Sequence, residues 1–150
     1  FITHFKSNIM NRLKQLITPV SYGTTADLGL LVLRAGVGLI MMMSHGWPKL
    51  SSFGEKSGEF YDFLGLGPAF SLGLTVFAEF FCSLFLVLGI GTRLFLVPLI
   101  ILSLVIVLVI HGPDPFGDKE SGLLFLIPYL TLLLTGPGKY SLDYLLWRKS

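Results

Sequence analysis

Arg34 and Glu79 stand inside two separate apolar runs of the chain, opposite charges where charge is least expected. A charged side chain at the centre of a bilayer costs roughly 3 kcal/mol on insertion scales, so each of them needs a partner or water. If the first run rises and the second descends, Arg34 lies ~9 Å inside its helix and Glu79 ~15 Å inside its own, an offset that a long guanidinium side chain can bridge. An intramembrane Arg34–Glu79 pair, with non-additive effects of replacing its members, is therefore the expectation. Two roles stay open for it: a lock on helix register, the best-attested use of buried ionic groups, and a functional site.

Other groups with chemical potential gather around this pair. Gly38, Met41 and His45 follow Arg34 at helical spacings of four, three and four, and so share its face. Gly36 and Gly38 admit the close approach of another backbone or a flat ligand. Cys82 lies one turn after Glu79, where a small buried thiol packs. A second polar set closes the helices at the opposite end from Arg34: His45, with Trp47 and Lys49 beside it, His111 and Glu120. Histidine exchanges protons near neutral pH or ligates metals, and Glu120 could orient it. The spacing matches no metal motif, so no metal site is expected. Tyr129, on the last run, can bring its hydroxyl toward Glu79. The candidate ligand-binding residues are therefore Gly38, His45, Lys49, His111, Glu120 and Tyr129. The sequence identifies no catalytic residue and leaves open whether the chain is itself an enzyme.

These residues must be positioned by helices in a membrane. Of the 150 residues, 53% are hydrophobic and 13% charged, with mean hydropathy +0.76, whereas soluble domains carry about 25% charged residues. Four runs hold the excess: 28–44, 69–88, 94–110 and 121–135. The fourth is short of the ~20 residues needed to span hydrocarbon and must borrow length from Lys119, Glu120 or Gly136. Pro98 and Pro128 are expected to kink the third and fourth. The fold class is an all-α integral membrane protein, a four-helix transmembrane bundle over 28–147. It is flanked by an amphipathic interfacial helix over 1–20 and a short interfacial helix at the carboxy end.

In the first flank, Ile2, Phe5, Ile9, Leu13 and Leu16 recur at spacings of three and four among Lys6, Arg12 and Lys14, the pattern of a basic helix on an anionic leaflet. No continuous apolar core precedes a small-residue cleavage site there, so no cleaved leader is expected. In the second, Gly136-Pro137-Gly138 ends the last run, Ser141 caps a helix, and Asp143 favours that helix's positive end. Lys6, Arg12, Lys14, Arg93, Lys139, Arg148 and Lys149 fall on one side of the membrane, against Lys49, Lys56 and Lys119 on the other. By the positive-inside rule both termini are cytoplasmic, in an inner membrane. The lone Cys82 excludes an intrachain disulfide or a CxxC redox pair. The expected partners are the lipid bilayer and subunits of a larger membrane complex, with no nucleic acid.

The order of motifs carries a resemblance. Arg34 with Gly36 and Gly38, then His45-Gly46-Trp47-Pro48-Lys49, Glu79, Gly89-Ile90-Gly91-Thr92-Arg93, and Gly136-Pro137-Gly138-Lys139-Tyr140-Ser141-Leu142-Asp143 together resemble the DoxX/DoxD family of small bacterial and archaeal membrane proteins. The resemblance implies a four-helix membrane protein. It also implies a link to quinone-coupled oxidation of thiosulfate, or to membrane assemblies that handle thiol and oxidative stress. Arg34 and Glu79 match the family's intramembrane Arg and Glu, His45 and Lys49 its HGxxK segment, and Asp143 its terminal motif. The expected function is a membrane subunit of a redox-linked complex. Quinone is its possible cofactor, and no other cofactor is evident. Phe77, Phe80 and Phe81 would supply apolar contacts to a quinone ring. Because the chain carries no dinucleotide fingerprint, haem attachment motif or cysteine cluster, electrons would arrive from another protein. The alternatives are a noncatalytic structural or assembly subunit, and transport of a small solute or proton.

Overall fold

Long apolar runs leave the backbone no partner but itself, and helix is the result. The structure, a computed structural model, describes residues 18–147; the amphipathic segment read over 1–20 lies almost wholly outside the described residues. Helix α1 spans Thr24–Ser51, the short α2 Phe53–Lys56, α3 Pro68–Leu88 and α4 Thr92–Ile110. They are followed by α5, Phe116–Thr135, and α6, Leu142–Trp147. Among the described residues there is no strand.

Three helices, α1, α3 and α4, are long and apolar enough to cross a membrane. The fourth long helix, α5, gains length at its start, taking in Phe116 to Glu120, and with them the charges Asp118, Lys119 and Glu120. It packs against α4 and α1, while α3 packs against α1 and α4. The shared core holds Met41, Cys82, Leu86, Leu96, Leu99, Tyr129 and Leu132. Val32, Ile40, Leu94, Ile101, Leu108, Leu124, Ile127 and Leu134 face outward and stay exposed, an apolar exterior suited to lipid.

The first span differs from its expected limits. Instead of closing at Ser44, α1 runs on through Pro48 and Lys49 to Ser51. Pro48 has no N–H to offer the preceding turn, and its ring crowds the carbonyl four residues back. The chain widens into a π-helical turn over Met42–Gly46, which passes the helix across the proline. A second π turn covers Phe77–Cys82 in α3. The two meet at Gly46, where an added Cβ would lie 2.7 Å from the Glu79 carbonyl carbon. Only glycine allows that approach. Gly38 serves likewise lower on α1, where a Cβ would meet Val87 at 2.7 Å; its place is filled by helix packing rather than by a ligand.

Between α2 and α3, Asp62 organises the connecting loop. Its carboxylate accepts the N–H groups of Leu64, Leu66 and Gly67 at 3.3, 3.2 and 2.9 Å, and the Ser71 hydroxyl at 2.9 Å. The Gly67 amide, first among these donors, holds the Asp62 carboxyl below its ordinary value of 3.8. A lowered carboxylate pKa adds stability above the unfolded value and loses it as pH falls through the folded one. Amide exchange at Gly67 is therefore expected to accelerate below pH 3.8, beyond the intrinsic pH dependence. In Asp62→Asn that extra dependence should vanish; an unchanged profile would remove Asp62 from the loop's pH response.

Candidate functional site

Two polar clusters occupy opposite ends of the bundle, and Arg34 and Glu79 belong to different ones. Arg34, 1% exposed, donates from Nη1 to the Leu86 carbonyl at 3.2 Å and from Nη2 to the Tyr140 carbonyl at 2.8 Å. Leu86 lies in the last turn of α3, where its carbonyl also accepts the Gly89 N–H at 3.1 Å and has a second lone pair to offer. The guanidinium thus closes a helix end. Gly89, at φ 72°, follows as a left-handed cap, and the Ile90 N–H reaches back to the Phe85 carbonyl at 3.1 Å. A side chain at 89 would strike the Arg34 guanidinium.

Asp143 plays the complementary part. Its carboxylate accepts the N–H groups of Gly91 and Thr92 at 2.7 and 2.9 Å, capping the start of α4. Asp143 does lie in the first turn of α6, yet its oxygens serve another helix. Ser141 caps α6 as expected, its Oγ accepting the Tyr144 N–H at 3.1 Å. Arg93 donates to the carbonyls of Leu133 and Leu134 at 3.1 and 3.3 Å, and Asp27 accepts the Lys139 N–H at 3.2 Å. This end is a clamp in which buried charge satisfies loose helix termini.

At the other end, Glu79 pairs with Lys49. Lys49 Nζ lies 2.6 Å from Glu79 Oε2, with side chains 24% and 3% exposed. The expected Arg34–Glu79 pair is therefore corrected. The Leu86 carbonyl that engages Arg34 is two turns along α3 from Glu79, roughly 10 Å, and Lys49 reaches the carboxylate first because α1 outruns its expected end. Lys49 and Glu79 line a cavity of about 220 Å³ with Phe60, Tyr61, Phe63 and Thr75. Phe63, Thr75, Leu102 and Val105 also wall an adjoining space of about 300 Å³, which passes Pro98 and Ile101 between α3 and α4.

The other candidates divide. His45 meets the Phe125 ring edge-on at 5.5 Å, and Phe125 stacks on Tyr129 at 6.2 Å, so His45 and Tyr129 border the Glu79 cluster. His111 instead bonds Asp114 at 2.9 Å in its own loop. Glu120 is exposed, because α5 already begins at Phe116. The convergence of His45, His111 and Glu120 on one site does not occur. Among the described residues no group of three or more metal-ligating side chains assembles.

Thr75, Ser83 and the Phe60–Phe63 loop are the site residues that sequence reasoning missed. Their signal was present: Ser71, Thr75, Glu79 and Ser83 repeat every four residues, a buried polar stripe along one face of α3.

No curated protein and no solved structure gives a significant match to the chain. One family model does, DoxX, over residues 29–112. The match takes in Arg34, His45, Lys49, Glu79 and His111, and stops before Glu120, Tyr129 and Asp143. Since it covers more than half of the 150 residues, the chain belongs to the DoxX family of membrane proteins.

Proposed function

We propose that this protein is a membrane subunit of a redox-linked complex and holds a quinone-like molecule beside Lys49 and Glu79. The observation that carries the reading is a largely buried ion pair in the wall of a cavity that is otherwise mostly aromatic and aliphatic. An ion pair with purely structural duty is better sealed by packing than by open space. The two adjoining cavities together reach the ~300–1,000 Å³ typical of small-molecule sites, and their path between α3 and α4 gives a lipid-soluble tail a way out. Lys49 can donate to a carbonyl oxygen, Glu79 can hold a proton, and Phe60, Tyr61 and Phe63 exclude water from a flat ring. The quinone would accept electrons delivered by a partner subunit. In this reading α5 completes a four-span bundle in a bacterial inner membrane, with both termini cytoplasmic.

Trp47, near Lys49, supplies the test. Titrating a short-chain quinone into the protein in nanodiscs should quench Trp47 fluorescence saturably. Lys49→Met should weaken binding about tenfold or more, equivalent to ~1.4 kcal/mol. Non-saturable quenching, or equal affinity in both proteins, would overturn the reading.

A second reading, a noncatalytic structural or assembly subunit, draws on the Arg34 end, where the charged hydrogen bonds close the chain's own helices. It is favoured if a co-purifying complex keeps full turnover with Glu79→Gln.

A further inference from the structure

Two hydroxyls deep in the bundle approach each other without closing a well-formed hydrogen bond. Tyr129 and Ser83 are both 0% exposed, and neither the phenol oxygen nor Ser83 Oγ has a partner. Buried polar groups in folded proteins are nearly always satisfied, by protein or by ordered water. The Tyr129 hydroxyl is turned toward Ser83 and lies within electrostatic reach of Glu79. A buried water requires two to four polar partners; here the Tyr129 phenol lies within reach of both the Ser83 alcohol and the Glu79 carboxylate. Glu79 has capacity to spare, since Lys49 occupies one direction at Oε2 and a carboxylate offers about four acceptor sites.

We propose that Ser83, Tyr129 and Glu79 hold a buried water molecule, and that this water makes Glu79 a proton-exchanging group at the edge of the cavity. The water donates to the Glu79 carboxylate and to one hydroxyl oxygen, and accepts from the other hydroxyl. When Glu79 takes up a proton, the water turns from donor to acceptor, so each group keeps a partner in both states. The titratable or charged groups facing Glu79 are Lys49 and His45 from α1, Tyr61 from the α2–α3 loop and Tyr129 from α5. The α4 side of the cavity, Leu102, Val105, Ile106 and Ile110, contributes none. Ser83 and Tyr129 are thus positioning residues for a proton on Glu79. The inference requires no quinone and holds for any occupant of the cavity.

The test is pH-difference infrared spectroscopy of the ligand-free full chain in nanodiscs, in ordinary and oxygen-18 water. A carboxyl band absent from Glu79→Gln identifies Glu79. That band is expected to shift in Tyr129→Phe and in Ser83→Ala. A water O–H band that responds to oxygen-18 should disappear in Tyr129→Phe, and Ser83→Thr should restore the wild-type spectrum where Ser83→Ala does not. Glu79→Gln, Tyr129→Phe and Ser83→Ala nearly preserve volume, Ser83→Thr adds one methyl, and unaltered circular dichroism marks the samples as folded; if Tyr129→Phe fails to fold, the Ser83 pair carries the comparison. A Glu79 band indifferent to both hydroxyls overturns the proposal. So does a band that shifts with no oxygen-18-sensitive water, which would mean direct hydroxyl contact.

Discussion

Arg34→Ala is expected to lower the stability of the folded chain by about 3–5 kcal/mol, the scale of two lost hydrogen bonds from a buried charged group. The substitution removes two charge-assisted hydrogen bonds, to Leu86 and Tyr140, each worth roughly 1.5–3 kcal/mol. It also takes the nearby cation away from Asp143. Arg34→Lys should recover only part of the loss, since an ammonium lacks the planar fork that reaches two carbonyls on different segments. Unfolding in a graded detergent titration measures both. The distinguishing result concerns Glu79: combined with Glu79→Ala, the effects should add to within about 0.5 kcal/mol, as for residues in separate networks. Coupling well beyond that would restore the cross-bundle pair that depth alone suggests.

The expected partnership between those charges rests on depth along each helix, which the sequence does carry. Long apolar runs, the break at Gly136-Pro137-Gly138 and the Ser141 cap are all local, so sequence pattern reveals them. Pairing is not local. Opposite charges at compatible depths in successive spans looked like the cheapest solution, but a helix end is a charge too. The last turn of α3 offers carbonyls with acceptor capacity to spare, and Gly89-Ile90-Gly91 marks where that turn stops, at the level of Arg34.

The partner of Lys49, a candidate ligand-binding residue beside His45, is hidden in the sequence for a related reason. The apolar run ends at Ser44 with His45 closing it, so nothing in composition announces the π turn that carries α1 onward. Those few extra residues fold the Lys49 side chain back onto Glu79. The polar stripe Ser71–Thr75–Glu79–Ser83 was legible by spacing, yet its weak hydroxyl members were hidden among so many apolar neighbours.

The Lys49–Glu79 pair supplies the other large effect, and it can separate stability from binding. Lys49→Met should cost about 3 kcal/mol, because it leaves a 3%-exposed carboxylate without its cation. Glu79→Gln should cost less, since Lys49 keeps a quarter of its side chain in contact with solvent and can turn outward. The double variant, Lys49→Met with Glu79→Gln, removes both charges while keeping shape, and should recover most of the single loss, giving a coupling of roughly 1–3 kcal/mol. Additive effects would show that the short contact contributes nothing beyond proximity. The same double variant is the sharper instrument for function, because it is expected to fold and to keep the cavity without the charges. If the pair exists to hold a ligand, this variant stays stable and loses saturable quinone binding. If it binds as well as the native protein, the ion pair is a strut between α1 and α3, and the cavity beside it is only the space their geometry leaves.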